Sequence, residues 1–143
     1  MKTTNRLTSV VSLVLVLLLI AAACTSCAPR LTDLGATIVA EKEVGEGAKT
    51  ITLTVINGAN EATVYTVHTD AEYLRGAIEP HGLVGGMEST FGMWVTTVDG
   101  ITADESKQEW WQLFEGNEQA NYGVETLKIK DGGSYTYLLT VGW

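Results

Sequence analysis

The side chains of this sequence best suited to holding a ligand are aromatic and amide groups near its carboxy terminus. Trp110 and Trp111 are adjacent in a strand-like stretch, so they point to opposite faces, and alternation places Gln112 and Phe114 beside Trp110. Asn121 and Tyr122 follow in the next loop. Aromatic rings beside amide groups can stack on a flat ligand and hydrogen-bond to its edge. The candidate ligand contacts are therefore Trp110, Gln112, Phe114, Asn121 and Tyr122.

Residue types that catalyse reactions or bind metals lack suitable neighbours. His68 and His81 are the only histidines, and neither a cysteine nor a third histidine stands at a ligand spacing from them. The carboxylates of Asp104, Glu105 and Glu109 fall in a polar stretch with no apolar setting that would raise a pKa. No Gly-x-Ser-x-Gly motif occurs. We therefore predict no metal site, no cofactor and no enzyme activity.

The amino terminus has the pattern of an export signal. An apolar run from Val10 to Ile20 is shorter than the roughly 20 residues that a membrane-spanning helix needs. Small residues follow at positions 21–23, directly before Cys24. This order resembles a bacterial lipobox, so we predict a signal peptide at 1–23 and a lipid on Cys24. The protein would then be anchored at the extracellular face of the cytoplasmic membrane.

Two alternatives to that processing stay open. Ala21 and Ala23 also fit the pattern of ordinary signal peptidase, which would release a secreted protein. Cys27 is a second candidate for the lipid. A disulfide between Cys24 and Cys27 would stabilise little because the loop it closes is short. In each case we expect residues 24–35 to form a flexible tether.

Charge and size limit the folded part. The formal net charge of −8 becomes −10 when Lys2 and Arg6 are removed with the signal peptide. Such a chain repels phosphate backbones, which argues against nucleic acid as a partner. About a hundred residues are left for one modest core. No cysteine follows Cys27, so that core must be stable without disulfides.

Residues 36–143 are predicted to form an α+β domain with an antiparallel sheet of short strands. Hydroxyl and aliphatic side chains alternate over 50–56, a turn follows at 57–60, and a partner strand completes a hairpin. Thr69 and Glu72 have the spacing of a capping box, which predicts one short helix packed on the hairpin. The helix has an apolar stripe, and the glycine-rich stretch 82–92 after it is predicted to be a flexible connection. The stripe consists of Ala71, Leu74, Ala77 and Ile78. Further strands are predicted at 36–44, 93–98, 110–115, 124–129 and 134–141.

This order of elements is that of a β-grasp-like fold, and the residues within it resemble a known family. The chain is similar, over about 49–143, to the C-terminal domain of transcobalamin and intrinsic factor and to a related domain of unknown function in Gram-positive lipoproteins. The residues that carry the resemblance are Thr69-Asp70, Leu74, Gly82-Leu83, Val95 to Gly100, Trp111-Gln112-Leu113, Gly123-Val124 and Asp131-Gly132.

The resemblance implies a domain that binds a soluble ligand. In the vitamin carriers this domain covers one face of cobalamin, and a separate helical domain, which has no counterpart in this sequence, covers the other. A partner chain would have to supply that half. The resemblance also assigns Trp111 to the core, which leaves Trp110 facing outward; Trp94 and Trp143 are expected to pack on their strands.

These observations predict a non-enzymatic, lipid-anchored cell-surface protein that binds a small soluble ligand. By resemblance the leading candidate is a corrinoid such as cobalamin, bound as a ligand and not as a cofactor. The alternative is a module that contacts a surface protein or polymer through the face bearing Trp110. Two further interpretations stay open: the glycine-rich stretch covers that face, and Asn121 and Tyr122 form a solvated turn.

Overall fold

The computed structural model describes residues 34–143. The predicted signal peptide, Cys24, Cys27 and most of the predicted tether lie outside the described residues. No helix in the described part of the chain is long and apolar enough to cross a membrane. The described part consists mostly of β-strands in two sheets, with one short α-helix.

Nine strands and one α-helix follow each other along residues 34–143. They are β1 (Thr37–Gly45), β2 (Lys49–Ile56), β3 (Glu61–Thr69), α1 (Leu74–Ile78), β4 (Val84–Ser89), β5 (Gly92–Val98), β6 (Ile101–Thr102), β7 (Glu109–Glu115), β8 (Glu118–Gln119) and β9 (Ser134–Val141). The large sheet has the order β1-β3-β2-β9-β7-β8, and β4, β5 and β6 form a separate small sheet. The predicted hairpin is confirmed as β2 and β3, joined by a turn in which the Asn57 side chain accepts hydrogen bonds from the amides of Ala59 and Glu61.

The prediction of a purely antiparallel sheet is wrong for two strand pairs. β1 runs parallel to β3, and β2 runs parallel to β9. The other pairs in the large sheet are antiparallel. Alternation along a strand reveals which face is buried but contains no information about the direction of its neighbour. The sheet is therefore mixed, and its central pair joins two strands that are far apart in the sequence.

The helix is confirmed, but its predicted start is not. α1 begins at Leu74, and no side chain caps its first turn. The Thr69 hydroxyl instead accepts a hydrogen bond from the Ala71 amide at 3.0 Å, and the Asp70 carboxylate accepts one from the Ala48 amide at 2.9 Å. Because the Thr69 hydroxyl bonds within the loop before the helix, it does not form the predicted capping box. The apolar stripe is right for Leu74, Ala77 and Ile78, which are buried.

The glycine-rich stretch 82–92 is mostly a strand, not the flexible connection predicted from its composition. It forms β4 and the turn to β5, with a shift of register between Gly85 and Gly86. A Cβ on Gly86 would lie 1.9 Å from the backbone oxygen of Trp94. Glycine is therefore required at this position because the two strands approach too closely for a side chain.

The strand predicted at 124–129 is absent from the described structure. The Gly123 carbonyl accepts hydrogen bonds from the amides of Thr126 and Leu127, which makes a tight turn. Val124, Leu127 and Ile129 are buried, but they are spaced three and two residues apart and so do not follow the period of a strand. The segment is an irregular loop held by its apolar side chains.

The core lies between the large sheet and the layer formed by α1 and the small sheet. The residues of β2 and β3 that share one face are buried, together with Trp111 from β7 and Tyr135 and Tyr137 from β9. Trp111 is 6% exposed, so its predicted place in the core is confirmed. One continuous apolar cluster therefore joins both sheets.

Candidate functional site

Trp110, Gln112 and Phe114 share one face of β7, as the alternation predicted. They stand opposite Thr140, Leu138 and Thr136 of β9 and are half-buried. The Trp110 indole donates a hydrogen bond to the Gly142 carbonyl at 2.8 Å. The Gln112 amide donates to the Gln119 side chain at 3.1 Å. The polar groups of this face are thus engaged within the sheet.

Tyr122 lies in a different place, on the rim of an open cleft. Its side chain is 63% exposed, and Asn121 beside it is also exposed. The cleft has a volume of about 450 Å³ and is lined by Tyr73, Glu115, Tyr122, Thr126, Leu127, Lys128 and Lys130. None of the other four predicted contacts lines it. The structure therefore separates the candidate contacts into a sheet face and a cleft.

The cleft is built where the irregular loop meets the start of α1. The Leu127 carbonyl accepts a hydrogen bond from the Leu74 amide at 2.9 Å, and Tyr73 forms an isolated β-bridge with Lys128. Leu127 is 3% exposed and provides an apolar base, whereas Tyr73 is 37% exposed. Two partly exposed aromatic rings thus flank an apolar base, a combination that occurs in small-molecule sites.

Charged groups surround this apolar base. The Lys128 ammonium forms an ion pair with Glu72 at 2.9 Å and lies 5.8 Å from the centre of the Tyr73 ring. Hydrogen bonding within this pair raises the pKa of Lys128 and lowers the pKa of Glu72. The side chains of Lys130 and Glu115 form no hydrogen bond or ion pair with any described residue. The cleft thus contains one neutralised cation, one free cation and one free carboxylate.

The sequence did not reveal most residues of the cleft. Tyr73, Lys128 and Lys130 come from segments about fifty residues apart, and only the fold joins them. One signal was present in the sequence. Lys128 and Lys130 alternate around the apolar Ile129 and so concentrate positive charge on one side of the loop in an acidic chain.

A second exposed feature is the tip of the β4–β5 hairpin. Met87 is paired across the hairpin with Trp94, and these side chains are 58% and 62% exposed. Phe91, in the turn, is 95% exposed. The expectation that Trp94 and Trp143 pack on their strands is wrong, since Trp143 is 79% exposed. Burying either of them would have required a neighbouring layer that the two-sheet arrangement does not provide at these positions.

A charged cluster lies beside the turn of that hairpin. The Arg75 guanidinium bonds to the carboxylates of Glu79 at 2.7 Å and Glu125 at 2.5 Å, and it also forms an ion pair with Glu88 of β4. These bonds raise the pKa of Arg75 and lower that of Glu79. Arg75 therefore connects α1, the hairpin and the irregular loop.

Among residues 34–143, no three histidine, cysteine or acidic side chains converge in a way that could hold a metal ion. The His68 ring nitrogens lie 2.6 Å from a Glu43 oxygen and 3.1 Å from the Thr50 hydroxyl. In the polar loop, the Asp104 carboxylate accepts a hydrogen bond from the Ser106 amide, and the Glu109 carboxylate accepts one from the Asp104 amide. These acids stabilise the loop.

The fold and cleft define a small, mostly β domain with one short helix and an open site between loops. Residues 62–135 match the profile of DUF4430, a domain of unknown function. The chain belongs to this family. A search of curated proteins found no match.

Two solved structures of other proteins have folds similar to this one. A proposed metal-binding protein from Ruminococcus gnavus is 40% identical, with a TM-score of 0.65; the match covers 67% of this chain and all of that one. Haptocorrin, solved in complex with cobinamide, is 14% identical with a TM-score of 0.57, and the match covers 70% of this chain. It spans 27% of haptocorrin, so this similarity concerns one part of that protein's fold.

Proposed function

We propose that this protein binds a soluble small ligand in the cleft between Tyr73 and Tyr122. The observation that carries the proposal is the composition of the cleft, in which two exposed aromatic rings flank the buried Leu127 and free polar groups stand at the rim. The apolar base provides area to bury and the rim groups fix orientation. A corrinoid is the leading candidate ligand, and the structural similarity to haptocorrin in its cobinamide complex supports it.

The strand arrangement supports the finer assignment of a β-grasp-like fold. The β2–β3 hairpin is followed by α1, and β9 returns to lie parallel to β2 in the middle of the sheet. A corrin ring with its side chains is larger than a cleft of about 450 Å³. The cleft would therefore cover only part of such a ligand, and a partner chain would cover the rest. No catalytic step is part of this proposal.

Calorimetric titration of the full chain, solubilised in mild detergent, with cobalamin and separately with cobinamide tests the ligand. We expect saturable binding with a Kd below about 1 mM. Tyr122→Ala and Tyr73→Ala should weaken it, because each removes an aromatic contact worth roughly 0.5–1.5 kcal/mol.

The matched control for that titration is Trp110→Ala, which changes the sheet face and leaves the cleft intact. A larger loss with Trp110→Ala than with Tyr122→Ala would move the site to β7. No saturable heat with either corrinoid would remove corrinoids as candidates.

The membrane anchor is proposed from the sequence. A lipid on Cys24 would hold the domain at the extracellular face of the membrane, with the residues up to Gly35 as a tether. Cell fractionation tests this. Release of a Cys24→Ala protein from the membrane fraction, with retention of a Cys27→Ala control, is expected; retention of Cys24→Ala would overturn the assignment.

The exposed hairpin favours a second candidate function, contact with a cell-surface protein. Met87, Phe91 and Trp94 place apolar side chains in solvent on a hairpin that Arg75 holds in position. Exposed apolar groups brought together in this way are typical of interaction surfaces. If this is the function, Phe91→Ser should abolish cross-linking of the protein to its surface partner in intact cells while the Tm stays unchanged.

A further inference from the structure

The lysine and arginine side chains of the described residues have, with one exception, a bonding partner. Lys42 donates to the Tyr65 hydroxyl and Lys49 donates to the Ala71 carbonyl. Arg75, Lys107 and Lys128 form ion pairs with acidic side chains. The exception within residues 34–143 is Lys130, and its side chain lines the cleft.

The backbone of Lys130 is fixed although its ammonium group has no described partner. Its amide donates a hydrogen bond to the Tyr135 hydroxyl at 3.2 Å, and its carbonyl accepts one from the Gly133 amide at 2.9 Å. The neighbouring Ile129 is 6% exposed and anchors the same segment in the core. Because the backbone at the rim is already fixed, only the Lys130 side chain has to be ordered when it binds a ligand.

Two lysines make this cleft a place among the described residues where an anion can approach. Lys128 and Lys130 both line it, whereas the chain as a whole has a formal net charge of −8. Glu72 neutralises Lys128, so the attraction for a ligand comes from Lys130. Glu115 also lines the cleft and disfavours an anion near it, while its carboxylate can accept hydrogen bonds from N–H groups of a ligand.

We infer that the cleft selects ligands that combine a flat ring system with an oxyanion, a phosphate ester or a carboxylate, and that Lys130 binds the oxyanion. The ring would lie against Tyr73 and Tyr122, and its N–H donors would face Glu115. This inference rests on the proposed ligand-binding role of the cleft but does not require a corrinoid. Applied to corrinoids, it distinguishes cobalamin, whose nucleotide loop contains a phosphate, from cobinamide, which lacks that loop.

A matched pair of probes tests the inference without any corrinoid. Adenosine 5′-monophosphate and adenosine share a flat ring with N–H donors and differ by the phosphate. Each is titrated into the ¹⁵N-labelled full chain in mild detergent, and the amide shifts of Tyr122, Leu127 and Lys130 are followed. We expect the phosphate to lower the Kd by about fivefold to tenfold, the effect of one charge-assisted contact near a surface.

Variants identify the residue responsible. Lys130→Met should bring the two Kd values together, Lys130→Arg should keep the preference, and Lys107→Met, a change in a distant surface ion pair, should leave it unaltered. Equal affinity for both probes, no shift with either, or a preference that survives Lys130→Met would each overturn the inference. The corrinoid titration is read separately, so a protein that binds cobalamin and cobinamide equally would retain the proposed function and lose only this selectivity.

Discussion

Trp111 packs edge-on against Tyr137, with ring centroids 6.4 Å apart and ring planes at 90°. The Trp111 indole donates a hydrogen bond to the Ile101 carbonyl at 3.2 Å, which ties the small sheet to the large one. The Tyr137 hydroxyl is buried and has no hydrogen-bond partner among the described residues. Of these two packed core rings, one therefore has its polar group satisfied and the other does not.

Removing the unsatisfied hydroxyl should stabilise the protein. We expect Tyr137→Phe to raise the free energy of unfolding by about 1 kcal/mol, because the ring packing is kept and an uncompensated desolvation penalty disappears. The matched change is Tyr65→Phe, which removes a hydroxyl that donates to Asp99 at 2.6 Å. It should cost about 1–2 kcal/mol. Urea unfolding followed by circular dichroism measures both, and a destabilised Tyr137→Phe would show that the hydroxyl has a partner in solution.

The buried tyrosines predict a loss of stability at alkaline pH. Burial raises the pKa of Tyr65, Tyr135 and Tyr137 above the usual value of about 10. The fold thus favours the protonated form of each tyrosine. Their contribution to the free energy of unfolding is complete below a pH of about 10 and is lost as the pH rises through their pKa values in the folded protein. Thermal melts between pH 8 and pH 11 should show a falling Tm in the wild type and a smaller fall in Tyr137→Phe. Identical slopes would contradict this assignment.

The two adjacent glycines of β4 should respond very differently to alanine. A Cβ on Gly86 meets the Trp94 backbone oxygen, whereas one on Gly85 lies 4.0 Å from the Thr97 Cβ. We expect Gly86→Ala to destabilise the protein by roughly 2 kcal/mol or more, since backbone atoms must move, and Gly85→Ala to change stability by less than about 0.5 kcal/mol. Differential scanning calorimetry of both variants checks this, and equal losses would argue against the close approach.

Arg75 should control the mobility of the hairpin more than the folding of the whole domain. Arg75→Met removes the bonds to Glu79, Glu88 and Glu125 and leaves three carboxylates close together. We expect faster hydrogen exchange at the amides of β4 and β5 and unchanged protection in β2 and β9. Lys107→Met, which breaks only the ion pair with Asp104, is the control. Uniform loss of protection would mean that the cluster supports the entire fold.

Strands of the large sheet could be predicted from the sequence because the alternation of side chains that marks a strand is a local pattern. The range predicted for the last strand, 134–141, is the range of β9, and the alternation of threonine with aliphatic residues located β2. Several of the residues that carry the family resemblance are interior ones, among them Leu74, Leu83 and Val124. Such positions specify packing, so they revealed the fold and contained little information about a ligand.

The cleft could not be predicted from the sequence because it depends on contacts between distant segments. Tyr73 belongs to the approach to α1, and Lys130 directly follows the segment 124–129, which was predicted to be a strand. Their proximity depends on the irregular turn at Gly123 and on the bridge between Tyr73 and Lys128. Neither produces a periodic pattern. Of the five predicted contacts, Tyr122 lines the cleft. Trp110, Gln112 and Phe114 lie on one face of β7 and do not line it.

The parallel pairing of β1 with β3 has a mechanical consequence. The ladder extends from Thr37 beside Glu61 to Gly45 beside His68, and Thr37 is the end nearer the predicted anchor. A pull at Thr37 along the strand would load this ladder in shear, so that its hydrogen bonds resist together and do not break one after another. A surface protein held at that end would thus transmit tension into its sheet through the edge strand, and the cleft beside β7 would lie outside the first ladder to yield.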